Sequence, residues 1–384
     1  MVETVVVLGA GYAGAGAISK LQSRLDEDAK LIWIADNDYH LVLHESHRLI
    51  RDPDVRSDIT ISVYDIIDPA TRFIEDQVTN LDVDNQVVEL KDNDDVDFDY
   101  VLVCLGSQTA YYGIPGLEEN SLTLKSLDDA LEIHNAIDSA SKNATRSDPA
   151  QVVIGGAGLS GIQTAGEVAE FRDKHRANVE IHLVEALEEI FPGNDPEIQQ
   201  ELRALLEETG VRIHTDDPIT EAEDGIIHFD TGESLEYDVF VWTGGITGRE
   251  AFNGTSLENQ HNRVNTEANF QTSNKRVFAI GDSAIVDQGD HPAPPTAQAA
   301  WQGAAVAGEN IARSIENRPL KTWEYTDKGT VVSVGDKAVA HNVKGLPITT
   351  FGGFAARNLK KFIAAKWIAE LTTWNRARKS WPTL

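Results

Sequence analysis

The chain has 384 residues, 41% of them hydrophobic, enough for two or three domains with their own cores. Its 33 Lys and Arg face 62 Asp and Glu, a net charge of −29, which excludes a general polyanion binder and leaves no nucleic acid among the expected partners. The single cysteine, Cys104, excludes an intramolecular disulfide, a CxxC redox pair and a cysteine-ligated metal cluster within one chain.

An acidic excess beside an ordinary apolar fraction describes a heavily hydrated surface, of the kind suited to a salt-loaded cytoplasm. Equal stability in dilute buffer and molar salt would remove that halophilic expectation. The N-terminus has no basic leader and no stretch reaches the 18 or so apolar residues of a membrane span, so a cytoplasmic location is expected.

In chain order, residues 4–11 form an apolar run ending in glycines, residues 12–25 have helical spacing, and residues 31–35 form a second apolar run ending at Asp36. The glycines fall as Gly9, Gly11 and Gly14, with Asp36 placed 22 residues after the last. Gly9 permits the tight turn, Gly11 lets a pyrophosphate approach the backbone, Gly14 lets helix and strand pack, and Asp36 can bind a ribose hydroxyl.

The same unit returns over residues 151–156, 159–171 and 179–184. Gly156, Gly158 and Gly161 repeat the spacing, and Glu185 stands 24 residues after Gly161. An acid there selects a free 2′-hydroxyl, and no Arg follows within a few residues to receive a 2′-phosphate, so NADH is favoured over NADPH. Two dinucleotides on one chain suggest flavin plus nicotinamide.

Further buried-strand candidates are residues 101–105, 239–243 and 277–280, leading to Gly106, Gly244 and Gly281. The last delivers Asp282, an acid able to bind a ribityl hydroxyl. Residues 319–350 read as a small antiparallel β unit with strands near 323–325, 330–334 and 338–342. Residues 351–384 carry seven Lys or Arg against Glu370, and Leu359, Phe362, Ile363, Trp367, Leu371 and Trp374 recur at helical spacing. An apolar, Trp-bearing stripe flanked by cations suits an amphipathic helix on an anionic membrane surface.

With these motifs the chain resembles the two-dinucleotide-binding-domain flavoproteins over nearly its whole length. The resemblance implies an α/β fold with an FAD domain (residues 1–120 and 244–318) split around an NADH domain (residues 121–243). Within that superfamily, residues 101–130, the stretch Pro295-Thr296-Ala297-Gln298-Ala299-Ala300-Trp301-Gln302-Gly303 and the terminal β unit and helix look like type II NADH:quinone oxidoreductases.

That family implies FAD and NADH as cofactors, a menaquinone-like quinone as acceptor, no proton pumping, and a peripheral place on the inner face of the cell membrane, with a homodimer left open. A helix starting near Thr296 would aim its free N–H groups, Ala297 among them, at the flavin. Gln298 and Gln302, at i and i+4, would share one face and donate to quinone carbonyls.

Two departures stand out. Where many relatives place a glutamate near the nicotinamide this chain has Gln163, so a proton role falls to another group such as Glu167. Residues 39–47 bring His40, His44 and His47 to where an apolar quinone entrance is expected; a metal site there is disfavoured, since no Cys accompanies them. The single cysteine disfavours a sulfide:quinone oxidoreductase, whose chemistry needs at least two. A flavoprotein reductase of another acceptor and a redox-sensing flavoprotein remain alternatives.

Overall fold

A computed structural model describes residues 2–25 and 29–384. In chain order its main elements are β1 (Glu3–Leu8), α1 (Tyr12–Gln22), β2 (Ala29–Ala35), β3 (Arg72–Glu75), β4 (Tyr100–Val103), β5 (Ala150–Gly155), α2 (Leu159–His175), β6 (Val179–Val184), β7 (Val211–His214), β8 (Val239–Trp242), β9 (Val277–Ala279) and α3 (Ala297–Ile315). They are followed by β10 (Thr330–Val334), β11 (Lys337–His341), β12 (Thr350–Gly352), α4 (Gly353–Leu371) and α5 (Trp374–Ser380).

Two parallel sheets form the two halves. The first runs β9-β4-β1-β2-β3 and the second β7-β6-β5-β8. The central strands are the most apolar, and Val5 to Leu8 and Val152 to Ile154 are fully buried. In each sheet the glycine-terminated strand, β1 or β5, lies between neighbours that leave in opposite directions. The crevice at its carboxyl end is therefore open to a ligand.

Beyond the elements read from sequence, each half carries a three-stranded antiparallel meander, one starting at Val78–Asp82 and the other at Ile219–Glu223. The two chain crossings between the halves lie side by side, where Ser107–Thr109 pairs antiparallel with Ile246–Gly248.

Two expectations about the C-terminal region need correction. Residues 323–325 are not a strand, because their backbone donors go to other partners: Trp323 N–H bonds Ala268 O and Tyr325 N–H bonds Gln288 Oε1. Trp323 instead packs its ring on Phe270, and the third strand of the small sheet is β12. The tail helix is also docked rather than free. Trp367, Ile368 and Leu371 are buried against the body, while Phe354, Phe362 and Trp374 remain outside.

Two of the seven tail cations, Lys360 and Lys361, point inward. Lys361 Nζ donates to the carbonyls of Trp381 and Pro382, tying down the chain end.

Candidate active site

The two glycine loops have nearly the same backbone. Gly9 and Gly156 have φ of +101° and +90°, and Gly11 and Gly158 both have φ −73° and ψ −170°. A Cβ on Gly14 or Gly161 would lie 1.9 Å from the carbonyl oxygen of Gly9 or Gly156, so only glycine lets each helix close on its strand. A Cβ on Gly11 or Gly158 would meet no protein atom within 4 Å. That open approach at a helix N-terminus fits a pyrophosphate, and the loops satisfy the geometry a dinucleotide requires. Buried Trp33 donates its indole N–H to Gly9 O at 2.9 Å and steadies the first loop.

A single cavity of about 730 Å³ joins the halves. The first half lines it with Gly9, Gly11, Asp36, Gly106, Gly281 and Asp282, and the second with Gly158, Leu159, Ser160 and Gln163. Pro295, Thr296, Ala297 and Ala300 close one side, with Thr296 capping α3 by accepting from Ala299 N–H. Of the residues expected to hold FAD, Gly9, Gly11, Asp36, Gly106, Gly281, Asp282 and Ala297 thus line one cavity, and Gly14 does not. Asp282 accepts from Ser107 Oγ at 3.0 Å, and Lys125 reaches the same hydroxyl at 3.4 Å.

Asp36 is exposed at the cavity edge. Glu185 differs, because its carboxylate accepts from Ala157 N–H at 2.8 Å and Leu187 N–H at 3.1 Å, bracing the second loop. Gly244 lies beside that loop, where a Cβ on Gly156 would come within 2.6 Å of its Cα.

Gln298 and Gln302 are not among the residues lining this cavity, and their amides turn to the segment 325–329. Gln298 Oε1 accepts from Lys328 N–H at 2.8 Å and its amide donates to Gly329 O at 3.1 Å. Gln302 exchanges two bonds with the Thr326 backbone, donating to O at 2.9 Å and accepting from N–H at 3.2 Å. The i, i+4 pair shares a face as expected, but that face holds residues 325–329 in place of a sheet ladder. Ala297 and Ala300, on the adjacent face of α3, meet the cavity.

Behind the cavity lies a buried ionic network built from four parts of the chain. The 3-10 helix Leu43–Ile50 repeats every three residues, which places Glu45 against Arg48. Lys360 Nζ lies 3.5 Å from Glu45 Oε1 and donates to Ser333 Oγ at 2.6 Å. Ser333 Oγ also accepts from the Gln163 amide at 3.1 Å, so Gln163 links the cavity to the network. His47 Nε2 lies 3.1 Å from both Ser333 Oγ and Lys360 Nζ.

Glu167, one helical turn beyond Gln163, lies 2.9 Å from Arg51 Nε and 3.9 Å from His47. The Arg51 N–H is not aimed along that contact, and neither carboxylate oxygen of Glu167 accepts a hydrogen bond. Burial outweighs the pull of Arg51, Arg48 and Lys360 and pushes the Glu167 carboxyl up to about 7. Burial likewise lowers Lys360 to about 8. Glu45 is opposed by its own burial, yet Lys360 and Arg48 hold it ionised, well below the usual carboxylate range. Arg51 continues to Asp336, 2.7 Å away and half exposed, so the network reaches solvent.

The three histidines diverge. His40 bonds Ala10 O through Nδ1 at 2.7 Å and accepts the Trp367 indole N–H at Nε2, also at 2.7 Å. Burial lowers His40 to about 4, so it is a neutral tether between the first glycine loop and the tail helix. His44 bonds the Tyr12 hydroxyl, and His47 belongs to the network. Sequence reading missed Lys360, Ser333, Arg48 and Arg51; a lysine pair interrupting the apolar side of the tail helix signalled the first, and no local pattern marked the other three.

Residues 3–304 match the pyridine nucleotide-disulphide oxidoreductase family. The type II NADH:quinone oxidoreductase of Staphylococcus saprophyticus is 31% identical, with 96% of each chain covered. Among solved structures, NDH2 from Plasmodium falciparum in complex with NADH superposes with a TM-score of 0.81 at 15% identity, covering 99% of this chain and 97% of that one. The sulfide:quinone oxidoreductase of Aquifex aeolicus superposes almost as well, with a TM-score of 0.79 at 19% identity over 97% and 92% of the two chains, so the fold alone does not separate the two chemistries. Relatedness across the whole length does: the chain belongs to the type II NADH:quinone oxidoreductases, within the pyridine nucleotide-disulphide oxidoreductase family.

Proposed function

We propose that the chain oxidises NADH and reduces a membrane quinone of the menaquinone class, without moving protons across the bilayer. The observation that carries this reading is the single cavity lined by both glycine loops, which lets two dinucleotides meet end to end. When bound, FAD supplies the hydride-accepting and electron-passing chemistry. The protein binds and orients.

Gly9, Gly11, Asp36, Gly106, Gly281, Asp282 and the N-terminus of α3 at Ala297 would hold FAD. Gly156, Gly158, Gly161, Glu185 and Gly244 would hold NADH. Glu185 favours a free ribose hydroxyl and repels a 2′-phosphate. Gln163 cannot carry a charge, so Glu167 acts as the titrating carboxyl on that side, with Lys360 and Ser333 between them. Gln298 and Gln302 position the start of α3 by holding residues 325–329 against it.

The tail would rest on an anionic membrane at the inner face of the cell. Phe354, Phe362 and Trp374 are exposed there, with Leu346 and Ile348 on the preceding loop and Arg378 and Lys379 nearby. Among the described residues, no helix is long and apolar enough to cross a membrane.

Stopped-flow absorbance of the yellow holoprotein tests the reading. NADH should bleach the visible band and a menaquinone analogue should restore it. Bleaching without recovery would assign another acceptor or a sensing role, and no bleaching would overturn the NADH assignment. Vesicle flotation with Phe354, Phe362 and Trp374 changed to Ser tests the tail, and unchanged partitioning would remove the membrane surface.

A further inference from the structure

We propose that Tyr12, His44 and Glu45 form a proton relay to the quinone, with Tyr12 the group that touches the acceptor. The proposal rests on the NADH:quinone reading above. Tyr12 and His44 both line the cavity, and the Tyr12 hydroxyl is hydrogen-bonded to His44 Nδ1. The other ring nitrogen, Nε2, faces Glu45 Oε1 across 3.7 Å. Both of those atoms are buried and neither has a hydrogen-bond partner. His44 Nε2 is thus left without a partner in a dry site, while Glu45 Oε1 has the Lys360 ammonium beside it at 3.5 Å, so the three groups stand in line for a proton passing from Lys360 to the imidazole.

The groups around the relay are suited to this use. His47 and Arg48 face it from the same 3-10 helix, Lys360 from α4 and Glu167 from α2, while Arg51 and Asp336 lead to solvent. Trp367 and His40 enclose Tyr12 from the remaining side with ring centroids at 4.9 and 5.2 Å. Burial first, and then the Glu45 charge, raises the Tyr12 phenol, while burial lowers His44 to about 4. Both therefore rest neutral and protonated at one site each.

The proton count balances. NADH, one proton and a quinone give NAD+ and a quinol, so one proton comes from solvent beyond the one that travels with the hydride. In the working tautomer His44 Nδ1–H donates to Tyr12, leaving the phenol proton to face the acceptor. The Tyr12 O–H bond breaks as the quinol O–H bond forms, and the Nδ1 proton restores the phenol. A proton from the Lys360 ammonium crosses Glu45 Oε1 to His44 Nε2 as Nδ1 gives up its own, solvent recharges Lys360, and proton exchange at the two ring nitrogens restores the Nδ1–H tautomer before the next turnover.

Tyr12→Phe removes one hydroxyl and keeps the packing; His44→Gln removes the second step. Stopped-flow with holoprotein should give NADH bleaching at the wild-type rate, and recovery with a menaquinone analogue slowed about 100-fold, the lower end of general-acid effects. Deuterated water should slow recovery in wild type and lose that effect in Tyr12→Phe. A readout independent of turnover is the ring-carbon NMR signal of labelled tyrosine, in which the Tyr12 resonance should shift in His44→Gln. Recovery at the wild-type rate in Tyr12→Phe, or equal slowing of bleaching and recovery, would overturn the relay. Failure of NADH to bleach the wild type would overturn the functional reading instead.

Discussion

The two glycine loops share a backbone and differ in everything that follows it. After the first, α1 opens with Tyr12 and carries no acidic residue, and its neighbours are the aromatic rings of His40, His44 and Trp367. After the second, α2 carries Gln163, Glu167 and Glu170 toward Arg51, Ser333 and Lys360. The glycines decide that a dinucleotide binds. The side chains in the next two turns decide what chemistry surrounds it, which is why one repeated motif serves two cofactors.

The largest expected effect separates the loops. A side chain at Gly11 or Gly158 enters open space, and φ −73° suits any residue, so Gly11→Val and Gly158→Val should both fold. Gly11→Val should purify colourless, its FAD affinity lowered at least ~100-fold by blocking the pyrophosphate approach. Gly158→Val should remain yellow but resist bleaching at NADH concentrations that bleach the wild type. An exchange of these outcomes would reverse the assignment of the two sites.

The loops and strands were legible in sequence because each depends on residues a few positions apart: glycine where a Cβ has no room, valine and isoleucine where a strand is covered on both faces. The ionic network was not, since it joins residues 45, 163, 167, 333 and 360, and no local pattern records which buried charge meets which. The glutamine pair was half legible. Its i, i+4 spacing correctly put both amides on one side of α3, but which side met the cavity depended on residues 325–329, whose backbone donors needed acceptors.

The acids that end the second strand of each unit sharpen the contrast next. Asp36 stands exposed, whereas both oxygens of Glu185 accept backbone N–H groups of its own half. Glu185→Gln keeps one acceptor and loses the charge. The NADH KM should rise roughly 10-fold, equivalent to about 1.4 kcal/mol, with discrimination against NADPH relaxed and FAD retention unchanged. Steady-state kinetics with both nucleotides would measure it, and a wild-type preference for NADH would mean that Glu185 only braces the loop.

A smaller effect tests the aromatic side. Trp367→Phe keeps most of the packing and removes the indole N–H that His40 Nε2 accepts. Leaving a buried acceptor unpaired should cost about 1–2 kcal/mol in denaturant unfolding. Because His40 also bonds Ala10 O in the first glycine loop, FAD release should quicken while NADH affinity in the holoprotein stays unchanged. Faster FAD release without loss of stability would show the tether acting on the loop alone.

The last difference appears as a pH slope. Burial raises the Glu167 carboxyl to about 7, above the unfolded value near 4.5, so the folded protein holds a proton that the unfolded chain has released. The corresponding stability is complete below about pH 4.5 and is lost as pH rises toward 7, amounting to at most roughly 3 kcal/mol. Glu167→Gln keeps the shape and cannot ionise, so its melting temperature should lose this slope and exceed the wild type's most clearly near pH 7. Arg51 sets the limit on that gain, because the ion pair at 2.9 Å recovers part of the cost whenever Glu167 is charged. Since α1 has no acid, the slope belongs to the second loop's helix, and identical pH profiles for wild type and Glu167→Gln would mean that Arg51 keeps the carboxylate ionised throughout.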